Sequence, residues 1–104
     1  MSEFIFAAKT NEVPDGTAKM VELKGKKLAV FHQGGSYHAT DNECTHRGGS
    51  ISEGERSGNI VTCPLHGATF DISSGKVLSG PTSRDLTSYK VRVHRDDIEI
   101  EVQQ

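Results

Sequence analysis

Two short segments constrain this chain more than anything else in it: Cys44-Thr45-His46 and Cys63-Pro64-Leu65-His66. They read Cys-x-His and Cys-x-x-His, with sixteen residues between His46 and Cys63. Thiolate sulfur and imidazole nitrogen together suit iron, zinc or copper. A fold that brings the two segments face to face is organised around a metal as much as around an apolar core.

The rival uses of these residues fit less well. The chain has two cysteines, so one disulfide is conceivable. The start, Met-Ser-Glu-Phe, lacks the basic head and apolar stretch of an export signal. Without export, the reducing cytosol disfavours that bond. A disulfide also needs no histidine close after each cysteine. Structural zinc usually takes cysteines in pairs a few residues apart. Cys-x-His is too tight for that habit, and zinc leaves Pro64 and Gly67 unexplained. A Cys–His nucleophile would want a third, orienting residue, and none is evident.

Size and charge narrow the class further. The 104 residues suffice for one domain. With 34% hydrophobic residues and no Trp, the core is thin, and a thin core gains from a metal staple. Twelve basic and fourteen acidic residues, net −2, are well mixed. No basic stripe points to nucleic acid. No segment approaches the roughly 20 apolar residues that cross a bilayer, so no membrane role is expected and the cytoplasm is the expected location.

The outer thirds of the chain read as β-structure. Phe4, Phe6 and Ala8 alternate with other residues, and Pro14-Asp15-Gly16 turns the chain. Strands follow at Ala18–Leu23, Lys27–Phe31 and Ser36–Thr40, with Gly34-Gly35 as the hairpin signal between the last two. Near the end Val91 and Val93 pair with Ile98, Ile100 and Val102 across Asp96-Asp97. Between Asn42 and Pro81 the chain is glycine-rich, with short strand-like pieces at Asn59–Thr62 and Thr69–Ile72. The expectation is a single all-β domain: a base of residues 1–41 and 82–104, with a loop-rich subdomain, 42–81, inserted to carry the site.

Cys44-Thr45-His46-Arg47-Gly48 with Cys63-Pro64-Leu65-His66-Gly67 resembles the Rieske family signature. Thr69-Phe70-Asp71, Gly75 and Gly80-Pro81 resemble the strand, turn and proline loop that cover the cluster in that family. The resemblance implies the Rieske fold, antiparallel sheets with an inserted cluster-binding subdomain. It implies one [2Fe–2S] cluster, two cysteines on one iron and two histidines on the other, with Cys44, His46, Cys63 and His66 as ligands. Neutral imidazoles in place of two thiolates remove two negative charges, so an added electron is less repelled. Gly48, Gly49 and Gly67 would let backbone N–H groups approach the cluster sulfides.

Within the family the chain is similar to the ferredoxins that feed bacterial ring-hydroxylating oxygenases. That implies a soluble one-electron carrier, a monomer when free, taking electrons from a flavoprotein reductase and passing them to a terminal oxygenase. The catalysis then belongs to the partner. The chain itself shows no dinucleotide fingerprint and no two-His-one-carboxylate iron site. The alternative is a Rieske small subunit of a larger reductase such as nitrite reductase. Respiratory-complex relatives carry two further cysteines where Gly49 and Leu65 stand here, and a Ser and a Tyr where Ala68 and Phe70 stand. With those hydroxyl donors missing, the resemblance implies the lower-potential ferredoxin branch. His32, His38 and His94 read as ordinary surface or edge residues, and Arg47 as a solvated cation. Glu53 and Glu55 read as a wet turn or a docking face, and Leu65 and Pro81 as an apolar rim beside the histidines.

Overall fold

The segment Leu28-Ala29-Val30-Phe31 has no polar alternation, and all four residues are buried. They lie in strand β3 (Lys26–Gln33), which is covered on both faces. Leu28 and Val30 enter one core, Ala29 and Phe31 the other. A strand buried twice needs a continuous apolar run. The remaining architecture is arranged around this wall. The structure is a computed structural model and describes residues 2–43, 49–65, 67–80 and 84–103.

Eleven strands are assigned among the described residues, in three antiparallel sheets. The first sheet joins β1 (Ser2–Lys9), β11 (Asp97–Gln103) and β10 (Val91–His94), in the order β1-β11-β10. The second runs β2-β3-β4-β9, with β2 at Ala18–Leu23, β4 at Ser36–Asp41 and β9 at Ser88–Tyr89. The third is β5 (Glu55–Ser57), β6 (Ile60–Thr62), β7 (Thr69–Asp71) and β8 (Val77–Ser79), in chain order. The all-β expectation holds, and the short strands β5, β8 and β9 add to the elements expected from the sequence.

Between the first two sheets lies a core of Ala8, Val13, Val21, Leu23, Leu28 and Val30 with Ala39, Ile98, Ile100 and Val102. Ile98, Ile100 and Val102 have no exposed surface, as their alternation requires. The tight hairpins rest on backbone that few residues adopt. Gly34 and Gly35 both have positive φ (61° and 84°), the geometry of a type I′ turn that matches the twist of paired strands. The β10–β11 turn is Arg95-Asp96, not Asp96-Asp97. Arg95 takes φ 59° there, and Asp97 already pairs with His94.

The first strand departs from the expected pattern. Phe4, Phe6 and Ala8 do not share one face. Phe6 is 49% exposed, Phe4 lies under the Arg92 guanidinium at 4.3 Å, and Ile5 packs on the core instead. A bulge explains this. Phe6 pairs with Glu99 and Ala8 with Ile98, so Ala7 is an extra residue. One extra residue inverts the facing of everything beyond it, and Ala8 turns inward. Val93 also faces outward, 45% exposed, on the edge strand β10.

Candidate metal centre

The third sheet delivers the second Cys/His segment. Strand β6 ends at Thr62, and Cys63 follows, 1% exposed. The Cys63 N–H donates to the Ala68 carbonyl at 2.7 Å, which closes the turn between β6 and β7. Gly67 sits in that turn at φ 76°, a conformation costly for any residue with a Cβ. Around Cys63 the second core gathers Ile51, Val61, Ala68, Phe70, Ile72 and Leu86, with Ala29 and Phe31 contributed by β3. As a thiolate in such apolar surroundings Cys63 would need a cationic partner such as a metal; without one it packs as a neutral thiol.

The first Cys/His segment begins where β4 ends. Cys44, His46 and His66 lie outside the described residues, as do Arg47, Gly48 and Pro81. The stems of the first segment are described. Glu43 bridges Ser50, and Gly49 is buried. A Cβ built on Gly49 would lie 2.9 Å from Cys63 Sγ and 3.2 and 3.4 Å from Leu65 Cγ and Cβ. The first segment's downstream stem therefore touches the second segment at its cysteine. This convergence is what a centre with ligands from both segments demands. A third stretch closes in from the other side, where a Cβ on Gly80 would meet Ala68 Cα at 2.5 Å.

Gly49 supports a direct prediction. Gly49→Ala drives a methyl into Cys63 Sγ and Leu65, overpacking worth about 1–3 kcal/mol. The variant should lose bound metal to a chelator several-fold faster than wild type. Unchanged loss rates would show that the two segments are further apart than Gly49 indicates.

Among the described residues, which include Cys63 alone of the four expected ligands, no group of three or more His, Cys, Asp or Glu side chains could hold a metal ion. The remaining histidines are not brought to Cys63. His94 is exposed, as expected. His32 is not an ordinary surface residue. Its Nδ1 lies 2.8 Å from the Val13 carbonyl, and its ring stacks on Tyr37 with centroids 4.0 Å apart. It anchors the turn before β2. His38 is half-buried between the second and third sheets. Burial lowers its pKa, Asp71 opposes that shift, and Arg56 adds to it. Glu53 and Glu55 are exposed, and Leu65 is 45% exposed beside Gly49.

Two residues of the site region carry no sequence signal of their role. Arg56, in β5, lies over the Phe31 ring at 5.4 Å and donates from Nη2 to the His32 carbonyl at 3.2 Å. It ties the third sheet to the base, and burial lowers its pKa. Asn42 is 7% exposed and heads the first segment.

Comparison with known proteins is consistent with this geometry. The family described as Rieske [2Fe-2S] domain matches residues 3–90. The ferredoxin component of the naphthalene 1,2-dioxygenase/salicylate 5-hydroxylase systems of Ralstonia sp is 37% identical over 90 residues, 86% of each chain. A solved complex of reduced oxygenase and oxidized ferredoxin in carbazole 1,9a-dioxygenase contains a chain similar to this one. The TM-score is 0.87 and the identity 30%, covering 93% of this chain and 91% of that one. The Sphingomonas yanoikuyae B1 ferredoxin superposes with TM-score 0.91 at 28% identity, covering 97% of this chain and 100% of its own.

Proposed function

This chain belongs to the Rieske [2Fe–2S] domain family, and from that premise we propose that it carries single electrons from a flavoprotein reductase to a terminal oxygenase. It is an electron-transfer component rather than an enzyme, and it holds one Rieske [2Fe–2S] cluster. The observation that carries this reading is the seating of Cys63. It is a buried sulfur donor at the contact of the two Cys/His segments, in a chain whose relatives are ferredoxin components of dioxygenase systems.

The proposed ligands are Cys44, His46, Cys63 and His66. When bound, the cluster supplies reversible one-electron chemistry. The protein's own contribution is the setting. The second core keeps water from the Cys63 side, and the turn through Gly67 fixes the Cys63 backbone. Leu65 offers an exposed apolar contact to a partner, which suits brief docking. Ala68 and Phe70 are fully buried and bring no hydroxyl toward the cluster. The proposed division remains a base of 1–41 and 82–104 with the ligands in 42–81. No helix among the described residues is long and apolar enough to cross a membrane, and the cytoplasm is the proposed location.

Purification under reducing, iron-replete conditions tests the reading. The protein should be red-brown, with iron and labile sulfide in equal amounts. Its reduced form should show an EPR spectrum whose average g lies below the free-electron value. The midpoint potential should fall below about 0 mV, in the lower part of the roughly −150 to +300 mV Rieske range. Zinc in place of iron would refute the assignment. Gel filtration of the lysate decides whether the chain travels alone, as a shuttle does, or with a larger reductase.

A further inference from the structure

Among the described residues only Thr40 and Asn42 are buried polar side chains. Thr40 is accounted for by its own strand, its hydroxyl donating to the neighbouring Asp41 carbonyl at 3.0 Å. Asn42 does something different. It stands two residues before Cys44, and its side chain and carbonyl are engaged across the stems of the first Cys/His segment while its N–H is held by β3.

Its side-chain Oδ1 accepts from the Ser52 N–H at 2.8 Å, and its Nδ2 donates to Ser50 Oγ at 3.1 Å. Its carbonyl accepts from the Ile51 N–H at 2.7 Å, and its own N–H donates to the Lys27 carbonyl at 3.0 Å. Ser50 Oγ in turn lies 3.2 Å from Ser52 Oγ. One residue thus binds the entering stem to the leaving stem and binds both to the start of β3. The leaving stem includes Gly49, which abuts Cys63 Sγ and Leu65. Any slack between Asn42 and Ser50–Ser52 would be passed to the contact between the two ligand-bearing segments.

We propose that Asn42 is a positioning residue of the redox centre. Its carboxamide sets the closure of the segment that carries Cys44 and His46, and so the placement of that segment against Cys63. The inference rests on the ligand assignment proposed above. It reaches beyond that assignment by giving a non-ligand residue control of how uniform the centre is. A carboxamide suits the task because it offers an acceptor and a donor on the same carbon, matched here to an amide N–H and a hydroxyl. Alanine leaves the partly buried Ser52 N–H without its Asn42 acceptor, which is costly. Aspartate keeps the acceptor, and the Ser50 hydroxyl can turn to donate to its second oxygen.

The experiment compares Asn42→Ala, Asn42→Asp and Ser50→Ala with wild type, each purified with its cluster. EPR linewidth of the reduced protein and bleaching by a chelator are the readouts. Asn42→Ala should broaden the EPR lines and bleach at least tenfold faster. Asn42→Asp should keep the wild-type linewidth with a lowered midpoint potential, because it adds charge and keeps the closure. Ser50→Ala, which removes one contact of the clamp, should fall between alanine and wild type. A role in folding alone would lower the melting temperature and leave linewidth and potential unmoved, and that result overturns the proposal. Wild-type linewidth and bleaching in both Asn42→Ala and Ser50→Ala also overturn it. Should Asn42→Ala fail to fold, Ser50→Ala decides by the same two readouts. A wild-type protein that binds no cluster defeats the ligand assignment instead. Amide exchange at Ser52, protected in wild type and fast in Asn42→Ala, still shows the clamp, and equal exchange in the two removes it.

Discussion

Cys63→Ser should yield a colourless protein with little or no iron. Serine is a much weaker ligand for the cluster iron than a thiolate, whose softness suits iron–sulfur centres. The substitution also sets a hydroxyl at a position only 1% exposed among Val61, Ala68 and Phe70, where an unpaired polar group costs about 1–3 kcal/mol. Both effects fall on the second core, while the base core has its own apolar set in Ile98, Ile100 and Val102. Amide exchange should therefore rise sharply in β6 and β7 and much less in β1 and β11. Iron analysis and the visible spectrum check the first part. A variant with normal iron and colour would show that Cys63 is not a ligand.

Gly75→Ala should be strongly destabilising, although the site does not belong to either Cys/His segment. A Cβ there would lie 2.2 Å from the Leu86 carbonyl oxygen, and Gly75 has φ 79°. Neither group can step aside. The Gly75 carbonyl accepts from the Leu86 N–H at 2.7 Å, and the Gly75 N–H donates to the Asp71 carbonyl at the same distance. Strain at a left-handed position and a backbone clash together should cost about 3 kcal/mol or more. Gly58→Ala is the matched control. Gly58 also has positive φ (61°), yet a Cβ there meets nothing within 4 Å, so it should cost only about 1 kcal/mol. Denaturant midpoints of the two variants measure the difference. Equal losses would mean that φ strain alone, without the Leu86 contact, governs this position.

The β3–β4 hairpin and the family of the two Cys/His segments were legible because their signals are local. Gly34-Gly35 names its own turn, and Cys-x-His with Cys-x-x-His carries its chemistry in the residue types. The paired run of Ile98, Ile100 and Val102 was legible because a strict period of two holds to its end. Phe4 and Phe6 misled for the opposite reason. The bulge at Ala7 breaks the period without any glycine or proline to mark it. Arg56 and Asn42 were illegible because a polar residue in a loop-rich stretch looks solvated. Arg56 is covered where the third sheet meets β3, and Asn42 where Ser50–Ser52 folds back on it, and neither event has a local trace. Gly75 was noticed only as part of a family pattern. Its physical reason, the Leu86 carbonyl, lies eleven positions further along the chain.

The doubly covered strand β3 also limits how this protein can diverge. A strand with one wet face can drift there, exchanging polar residues freely while its buried face holds still. Leu28-Ala29-Val30-Phe31 has no such side. A larger residue at Ala29 presses on the core around Cys63, and one at Val30 presses on the core between the first two sheets. Close packing passes each disturbance through the strand to the other core. Variation that leaves both cores intact must therefore enter elsewhere. The four residues of the common wall stay under selection from both halves at once.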